Sequence, residues 1–296
     1  MRRFQGCLMT PLYWAIARAS GAPGLAIHWK AAVLGAKFLI LSRLPFRDAY
    51  GIIFFPMDSV RYFEFEVLWE FLQTRSREVR RYLDVSSPRL FPILALSELK
   101  DATADIANHD GKDLDVTRTL ATAAGVSERC RFHPWLVDDF MFPPGSFDLV
   151  TSISAIEHIP SGGDHRAVKK LWGALTPGGR LLLSVPCARE AFEERMDFNE
   201  YGILGPDADG SYFGSTFYDA SLIEERIFRV TGRPARYAIC GERAEGLFFR
   251  NRSEKISNPN YPFWREPYMM AKEYRRYGSI DELPGIGVIA MEFIKG

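Results

Sequence analysis

Phe147-Asp148-Leu149-Val150-Thr151-Ser152-Ile153, then the run 165–175, then Pro177-Gly178-Gly179 and Leu181-Leu182-Leu183-Ser184-Val185: this stretch of the sequence decides the fold. The first segment is a short, largely apolar strand. The second places Ala167, Val168, Leu171, Trp172 and Leu175 on one face at helical spacing. Pro177-Gly178-Gly179 stops that helix and turns the chain. The run 181–185 is almost continuously apolar, as a strand is when helices cover both of its faces. Strand, helix and strand in that order form a βαβ unit. Its crossover is right-handed and its two strands are parallel.

The same alternation extends outward in both directions. Upstream, 82–85 reads as a strand, 89–99 as a helix, 103–106 as a strand, 116–124 as a helix ending at Gly125, and 131–134 as a weaker strand. Before them, 58–80 reads as a helix, with Asp58 or Ser59 as N-cap and Val67, Leu68, Phe71 and Leu72 at helical spacing. Downstream come a helix over 221–231, a strand over 237–240 and a last apolar strand over 286–293. The class is therefore α/β with a mostly parallel sheet. Residues 1–57 read as a helical N-terminal extension and 58–296 as one domain. Two irregular stretches interrupt that domain, at about 187–220 and 242–284. Long insertions of this kind are usually lids or binding segments. No internal repeat or low-complexity tract is present.

Three short motifs then carry a resemblance. Phe147-Asp148-Leu149-Val150 is followed by Ala155-Ile156-Glu157-His158-Ile159. Phe142-Pro143-Pro144-Gly145-Ser146 leads into the strand, and Leu175-Thr176-Pro177-Gly178-Gly179 leads into the next one. In this order and spacing they resemble the class I S-adenosylmethionine-dependent methyltransferase superfamily, particularly its small-molecule branch. The resemblance covers roughly 80–241 and the last strand. It implies a Rossmann-like, seven-stranded, mostly parallel sheet with an antiparallel last strand and helices on both faces. It also implies S-adenosylmethionine as cofactor, held beyond the carboxyl ends of the strands, where open α/β sheets bind ligands.

The residues the resemblance singles out lie at those ends. Asp84, Ser86 and Ser87 follow the first strand, with the loop expected to approach the methionine end and ribose. Asp105 and Ile106 close the second strand. Asp105 stands 21 residues after Asp84, near the spacing at which an acid accepts the ribose hydroxyls, a reading preferred here to a surface acid beside a turn. Asp138 or Asp139 is placed to accept from the adenine amine, and Ser152 and Ile153 follow the fourth strand. Ile106 and Ile153 are expected to pack on adenine. Glu157 and His158 are the candidates for a general base or, alternatively, for anchors of their loop. Arg61 and Tyr62 in the helix before the sheet, and Tyr218 and Arg226 after it, are the candidate acceptor contacts.

One motif departs from the family. The first loop is typically D-x-G-x-G-x-G, and here the glycine positions read Ser86, Pro88 and Leu90. Glycine permits positive φ, whereas proline fixes φ and lacks an N–H. Either the serines and backbone replace the glycines, or cofactor binding is lost and the chain is a non-catalytic methyltransferase-like binding protein. Ser86-Ser87-Pro88, and Phe217-Tyr218-Asp219 with 222–226, resemble bacterial methyltransferase-like proteins, some from glycan gene neighbourhoods. The first alternative is preferred on that ground. The missing glycines exclude a G-x-G-x-x-G dinucleotide loop, and no Walker-type phosphate loop occurs.

Composition narrows the partners. Net charge is zero, which gives no reason to expect nucleic acid. Cys7, Cys130, Cys187 and Cys240 are widely spaced, against a zinc site or disulfide framework and in favour of a reducing, cytoplasmic setting. The insertions mix aromatic side chains with arginines, for example Phe248, Phe249, Arg250 and Arg252. That mixture suits a saccharide or lipid-linked glycan intermediate as the small-molecule acceptor, and equally suits simple packing. The first acidic residue is Asp48, preceded by Arg2, Arg3, Arg18, Lys30, Lys37, Arg43 and Arg47. This basic segment is read first as a cap on the core and second as a peripheral membrane contact.

Overall fold

The structure is a computed structural model and describes residues 2–135, 142–199, 202 and 205–296. The strands are β1 (Arg81–Val85), β2 (Thr103–Ala107), β3 (Cys130–His133), β4 (Phe147–Ile153), β5 (Leu175–Cys187), β6 (Phe192–Met196), β7 (Tyr212–Phe217), β8 (Arg236–Glu242), β9 (Tyr274–Tyr277) and β10 (Gly287–Ile294). Eight of them form one sheet in the order β3-β2-β1-β4-β5-β10-β8-β9. The first five are mutually parallel, and β10 runs antiparallel between β5 and β8. β6 and β7 form a separate antiparallel ribbon.

Side-chain alternation along the strands splits the core into two layers. Tyr82, Ile106, Leu149, Leu182 and Ala290 face one side, with helices α4 (Arg61–Gln73) and α5 (Leu90–Glu98). Leu83, Val150, Leu181, Leu183 and Met291 face the other, with α7 (Gly163–Ala174). α6 (Gly111–Ala124) follows β2 and adds Leu114 and Ala121 to the first layer. A helix over 220–231 joins α7 on the second, built of α8 (Ala220–Ile223), a π turn (Glu224–Phe228) and α9 (Arg229–Thr231). α5 is apolar nearly all round, with seven consecutive buried residues from Leu90 to Leu96, as a helix covered by neighbours on every side must be. The expected class thus appears with one strand more than the seven anticipated.

Three helices precede the sheet: α1 (Arg2–Ala19), α2 (Leu25–Ile40) and α3 (Phe46–Phe54). The inner face of α2 buries Ile27, His28, Ala31, Gly35 and Phe38. Gly24 at its start has φ 73°, and a Cβ there would lie 2.3 Å from the Tyr62 carbonyl oxygen, so the close approach of α2 to α4 requires glycine. His28 Nδ1 lies 3.0 Å from the Tyr62 hydroxyl, fastening the extension to α4. The C-terminal segments α10 (Leu247–Ser257) and α11 (Glu266–Glu273) precede β9, and α11 packs against α1.

The helix expected over 58–80 stops at Gln73. Buried Arg180 on β5 donates to the carbonyls of Phe71 (2.7 Å) and Leu72 (3.5 Å) while pairing with Glu292 on β10 at 3.1 Å. The last turn of α4 is therefore capped by the sheet itself, a tertiary partner for carbonyls no helix can satisfy internally.

Candidate functional site

β1 connects toward β2 on one side and lies beside β4 on the other, so the strand order reverses between β1 and β4. A crevice opens beyond the carboxyl ends at such a point. Here it is a cleft of about 1100 Å³. Its floor comes from the strand tips: Val85, Ser86, Ser87 and Pro88 at and after the end of β1, Asn108, His109 and Asp110 after β2, Trp135 after β3, and Ser152, Ser154 and Ala155 at and after β4. Its opposite wall comes from the N-terminal extension and its link to α4, including Arg47, Asp48, Phe55, Asp58 and Arg61.

The β1 loop takes the course that glycine would have allowed, without glycine. Ser86 has φ 53°, in the left-handed region, and its N–H donates to the Ala107 carbonyl at 2.8 Å. Ser87 is nearly buried and its hydroxyl accepts the Ile153 N–H at 3.2 Å. Ser154, across the cleft, also has positive φ (41°). The five described non-glycine residues with positive φ are all serines, and Ser86, Ser154 and Ser161 line this one cleft. Such conformations cost on the order of 1–3 kcal/mol each and persist where surrounding structure enforces them. The enforcing structure is visible: the Ser154 hydroxyl donates to buried Glu64, which also accepts from Ser184 at 2.7 Å and from Arg61 at 2.6 Å.

Asp84 lies behind the loop. It is buried and accepts from Tyr82 (3.2 Å), Thr151 and Ser87. Burial raises its carboxyl to about 6 against those stabilising bonds. Glu157 and His158 occupy a 3-10 turn, Ile156–His158, after β4. Glu157 is buried, its Oε2 has no hydrogen-bond partner, and burial pushes it up to about 8. His158 lines the cleft, and burial lowers it to about 4. Its Nδ1 lies 2.8 Å from the Gly214 carbonyl, which only accepts, so Nδ1 carries the proton and Nε2 is the basic nitrogen. At neutral pH the pair is thus a neutral acid behind the wall and a neutral imidazole in it.

Of the residues read from the sequence, Ser86, Ser87, Ser152, His158 and Arg61 meet in the cleft. Asp84, Ile153 and Glu157 are buried behind it. Asp105 does not sit at its strand's end. It pairs in register with Leu83, inside β2, and its carboxylate lies 2.7 Å from His133 Nε2. Ile106 is buried in the core layer under α5 and α6, away from adenine's expected place. Tyr62 is turned to His28. Tyr218 and Arg226 converge instead on Asp164, at 2.7 and 2.8 Å. A buried carboxylate must be paired, and these two side chains pair it. Asp138 and Asp139 lie outside the described residues. The two insertions contribute no described residue to the cleft lining. Some of their aromatics pack on one another, Phe192 stacked on Phe217 at 4.5 Å with Phe248 and Phe249 alongside, while Phe263 packs on Phe55 and Tyr268 on Tyr13.

What sequence reasoning missed is the far wall and the true β2 tip. Arg47, Asp48 and Phe55 arrive from α3 and the residue after it, which nothing local marks as site-forming. Asn108-His109-Asp110 follows the apolar run by a few residues, and only the end of that run signals it.

Comparisons with known proteins agree with this geometry. The methyltransferase-domain family model matches residues 95–183, beginning just after the altered β1 loop. "Probable tocopherol O-methyltransferase, chloroplastic" from Oryza sativa subsp. japonica is 32% identical over 95 residues, 31% of this chain and 26% of that protein. The matched segment thus spans about a quarter of that relative's length. The fold is similar to the O-methyltransferase of a trans-AT polyketide synthase multienzyme of Brevibacillus brevis in complex with S-adenosyl-L-homocysteine (TM-score 0.53, 9% identity, covering 79% of this chain and 72% of that one). It is also similar to MccD protein (TM-score 0.51, 11% identity, 78% and 97%). The strand order and the cleft at its reversal give the chain the fold of the Brevibacillus brevis O-methyltransferase, and residues 95–183 match a methyltransferase domain.

Proposed function

We propose that the cleft binds S-adenosylmethionine and that the chain transfers its methyl group to a small-molecule acceptor. The observation that carries this reading is the β1 loop. Ser86 holds the left-handed turn, Ser87 ties it to β4, and the loop lines an open cleft of about 1100 Å³ rather than filling it. That volume is ample for a nucleoside-sized cofactor together with an acceptor.

The sulfonium donor brings its own activation, so the protein's task is to align the acceptor and keep water away. The serine-rich tips of β1 and β4 would hold the amino-acid end. Asn108-His109-Asp110 at the β2 tip would meet the ribose in place of Asp105, which His133 engages. His158, with Nε2 unprotonated, is one group in the wall that would take a proton from a hydroxyl acceptor, with Asp48 and His109 also in the lining. Arg47, Asp48, Phe55 and Arg61 would face the acceptor. The aromatic insertions, which suggested a saccharide or lipid-linked glycan, back the cleft wall at Phe55 and His158 but contribute no described lining residue, and the proposal keeps only the broader acceptor class.

Isothermal titration with S-adenosylmethionine and S-adenosylhomocysteine tests it. Wild type should bind saturably. Ser86→Gly should bind at least as well, because glycine adopts positive φ freely. Ser86→Val should lose tenfold or more, since a β-branched residue resists that turn, with thermal unfolding used to show that the variant is folded. Absence of binding by wild type at millimolar cofactor would overturn the proposal and favour a binding protein on the same scaffold.

A further inference from the structure

The N-terminal helices carry apolar stripes on the side away from the protein. In α1, Leu8, Leu12, Ala15, Ile16 and Ala19 are exposed at helical spacing, while Thr10 and Ala17 are buried. In α2, Ala26, Trp29, Val33, Lys37 and Ile40 form the outer stripe, opposite the buried Ile27, His28, Ala31, Gly35 and Phe38. Trp29 is 61% exposed and Ile40 80%. Rings of Trp14 and Trp29, 6.4 Å apart, join the two helices at the level of the stripes, with Arg18 over Trp14 at 5.8 Å. Leu39, Leu41 and Phe46 extend the apolar surface past the end of α2. Soluble surfaces seldom leave this much apolar area contiguous without a partner.

Charge identifies the partner. Residues 1–47 carry seven Lys or Arg and no acid, and the remaining 249 residues carry a net charge of −7. Lys30 is paired with Glu98 at 2.6 Å and Arg43 donates to the Ala123 carbonyl, whereas Arg18, Lys37 and Arg47 are exposed. The molecule is thus neutral as a whole, with an excess of positive charge in the segment that carries the apolar stripes. A second copy docking by the same face would bring two cationic segments together, which disfavours a symmetric dimer. An anionic bilayer offers both an apolar interior and the complementary charge. No described helix is long and apolar enough to cross a membrane, so these helices would lie in the interface.

We infer that α1 and α2 form a docking surface for membranes containing anionic phospholipid, with Trp29, Val33 and Ile40 entering the acyl boundary and Arg18 and Lys37 meeting the head groups. The full-length chain should co-sediment with phosphatidylcholine vesicles containing phosphatidylglycerol and much less with pure phosphatidylcholine. Its tryptophan emission should shift to the blue on binding, and high salt should weaken the interaction. Lys37→Glu should lower vesicle affinity roughly fivefold or more, in line with the contribution of one cation near an anionic surface. Trp29→Ser with Ile40→Ser should lower it tenfold or more through lost apolar burial. None of these side chains lines the cleft, so cofactor titration should be unchanged, which separates this inference from the proposed function. Three results would overturn it: no vesicle binding by wild type, binding equal on neutral vesicles, or binding unaffected by the variants. A concentration-dependent dimer, abolished by the Trp29 and Ile40 changes with no vesicle binding, would assign the face to a second copy instead.

Discussion

Glu157 concentrates the electrostatic cost of the site in one carboxyl group. Its side chain is buried, one oxygen has no partner, and burial raises it from 4.5 to about 8. A raised acid holds its proton longer in the folded state than in the unfolded one. The folded chain therefore binds more protons between those two values, and stability falls as pH rises through that window. By pH 8 the loss approaches roughly 4 kcal/mol as an upper figure. Glu157→Gln keeps the shape and removes the titration. Denaturant midpoints of the two proteins should coincide near pH 4.5 and separate progressively above it, with the Gln variant more stable by pH 8. Equal curves across the range would show that Glu157 is charged and solvated, contrary to its burial. The positive-φ serines make the complementary point at the same scale. Nothing in the letters Ser86-Ser87-Pro88 announces φ 53°, because serine tolerates the left-handed region only where surrounding bonds impose it. The departure from glycine was legible in the sequence, as was its replacement by serines and backbone; the bonds that enforce these turns were not, since their partners, the Ala107 carbonyl, the Ile153 N–H and Glu64, come from other elements.

The helix over 220–231 shows how an element can be legible while its role is not. Ala220–Ile223, the π turn and Arg229–Thr231 fall where apolar periodicity placed a helix, with Asp219 capping it by accepting the Leu222 N–H at 2.7 Å. Arg226 and Tyr218 point to Asp164 at the start of α7, so the element is bolted to the sheet's second face rather than offered to a substrate. Asp164→Ala should therefore cost about 1–3 kcal/mol, since it leaves the buried Tyr218 hydroxyl unpaired while the partly exposed Arg226 can turn to solvent. Tyr218→Phe should cost about 1–3 kcal/mol while KM for any acceptor stays fixed. Urea midpoints at constant slope read the first quantity, and a shifted KM would restore Tyr218 to the binding site. The central strands were readable for a simple reason: β4, β5 and β10 are buried on both faces over most of their length and so carry apolar runs, such as 181–183 in β5 and 288–291 in β10. β9 escaped notice because its four residues, buried Tyr274, exposed Arg275 and Arg276, and buried Tyr277, neither alternate nor form an apolar run. β6 is mostly exposed and reads Phe192-Glu193-Glu194-Arg195-Met196, with no apolar signal to find.

At the scale of the whole molecule, the extension and the sheet domain meet at a titratable joint. His28, buried in α2, lies 3.0 Å from the Tyr62 hydroxyl and 3.3 Å from the Ile53 carbonyl. Burial lowers it from 6.5 to about 4. The acids Asp58 and Glu266 act on Tyr62 from the neighbouring segments but do not offset that burial. A depressed histidine is neutral when folded and takes up a proton on unfolding between pH 6.5 and 4. Acidification through that window therefore favours the undocked state. At pH 5 the penalty amounts to roughly 2 kcal/mol. Because α3 and the residues after it supply one wall of the cleft, undocking the extension also dismantles half of the site. Amide exchange in α2 and α3 should accelerate on going from pH 7 to pH 5 after correction for intrinsic rates, and cofactor affinity should fall in parallel. His28→Gln, which cannot titrate, should show neither change, although losing the shaped imidazole lowers its stability at every pH. Tyr62→Phe, lacking the hydroxyl partner, should weaken docking by about 1 kcal/mol at pH 7 while keeping the acid sensitivity. If exchange in α2 proves independent of pH in the wild type, the histidine is solvated and the extension is held to the sheet domain by its apolar face alone.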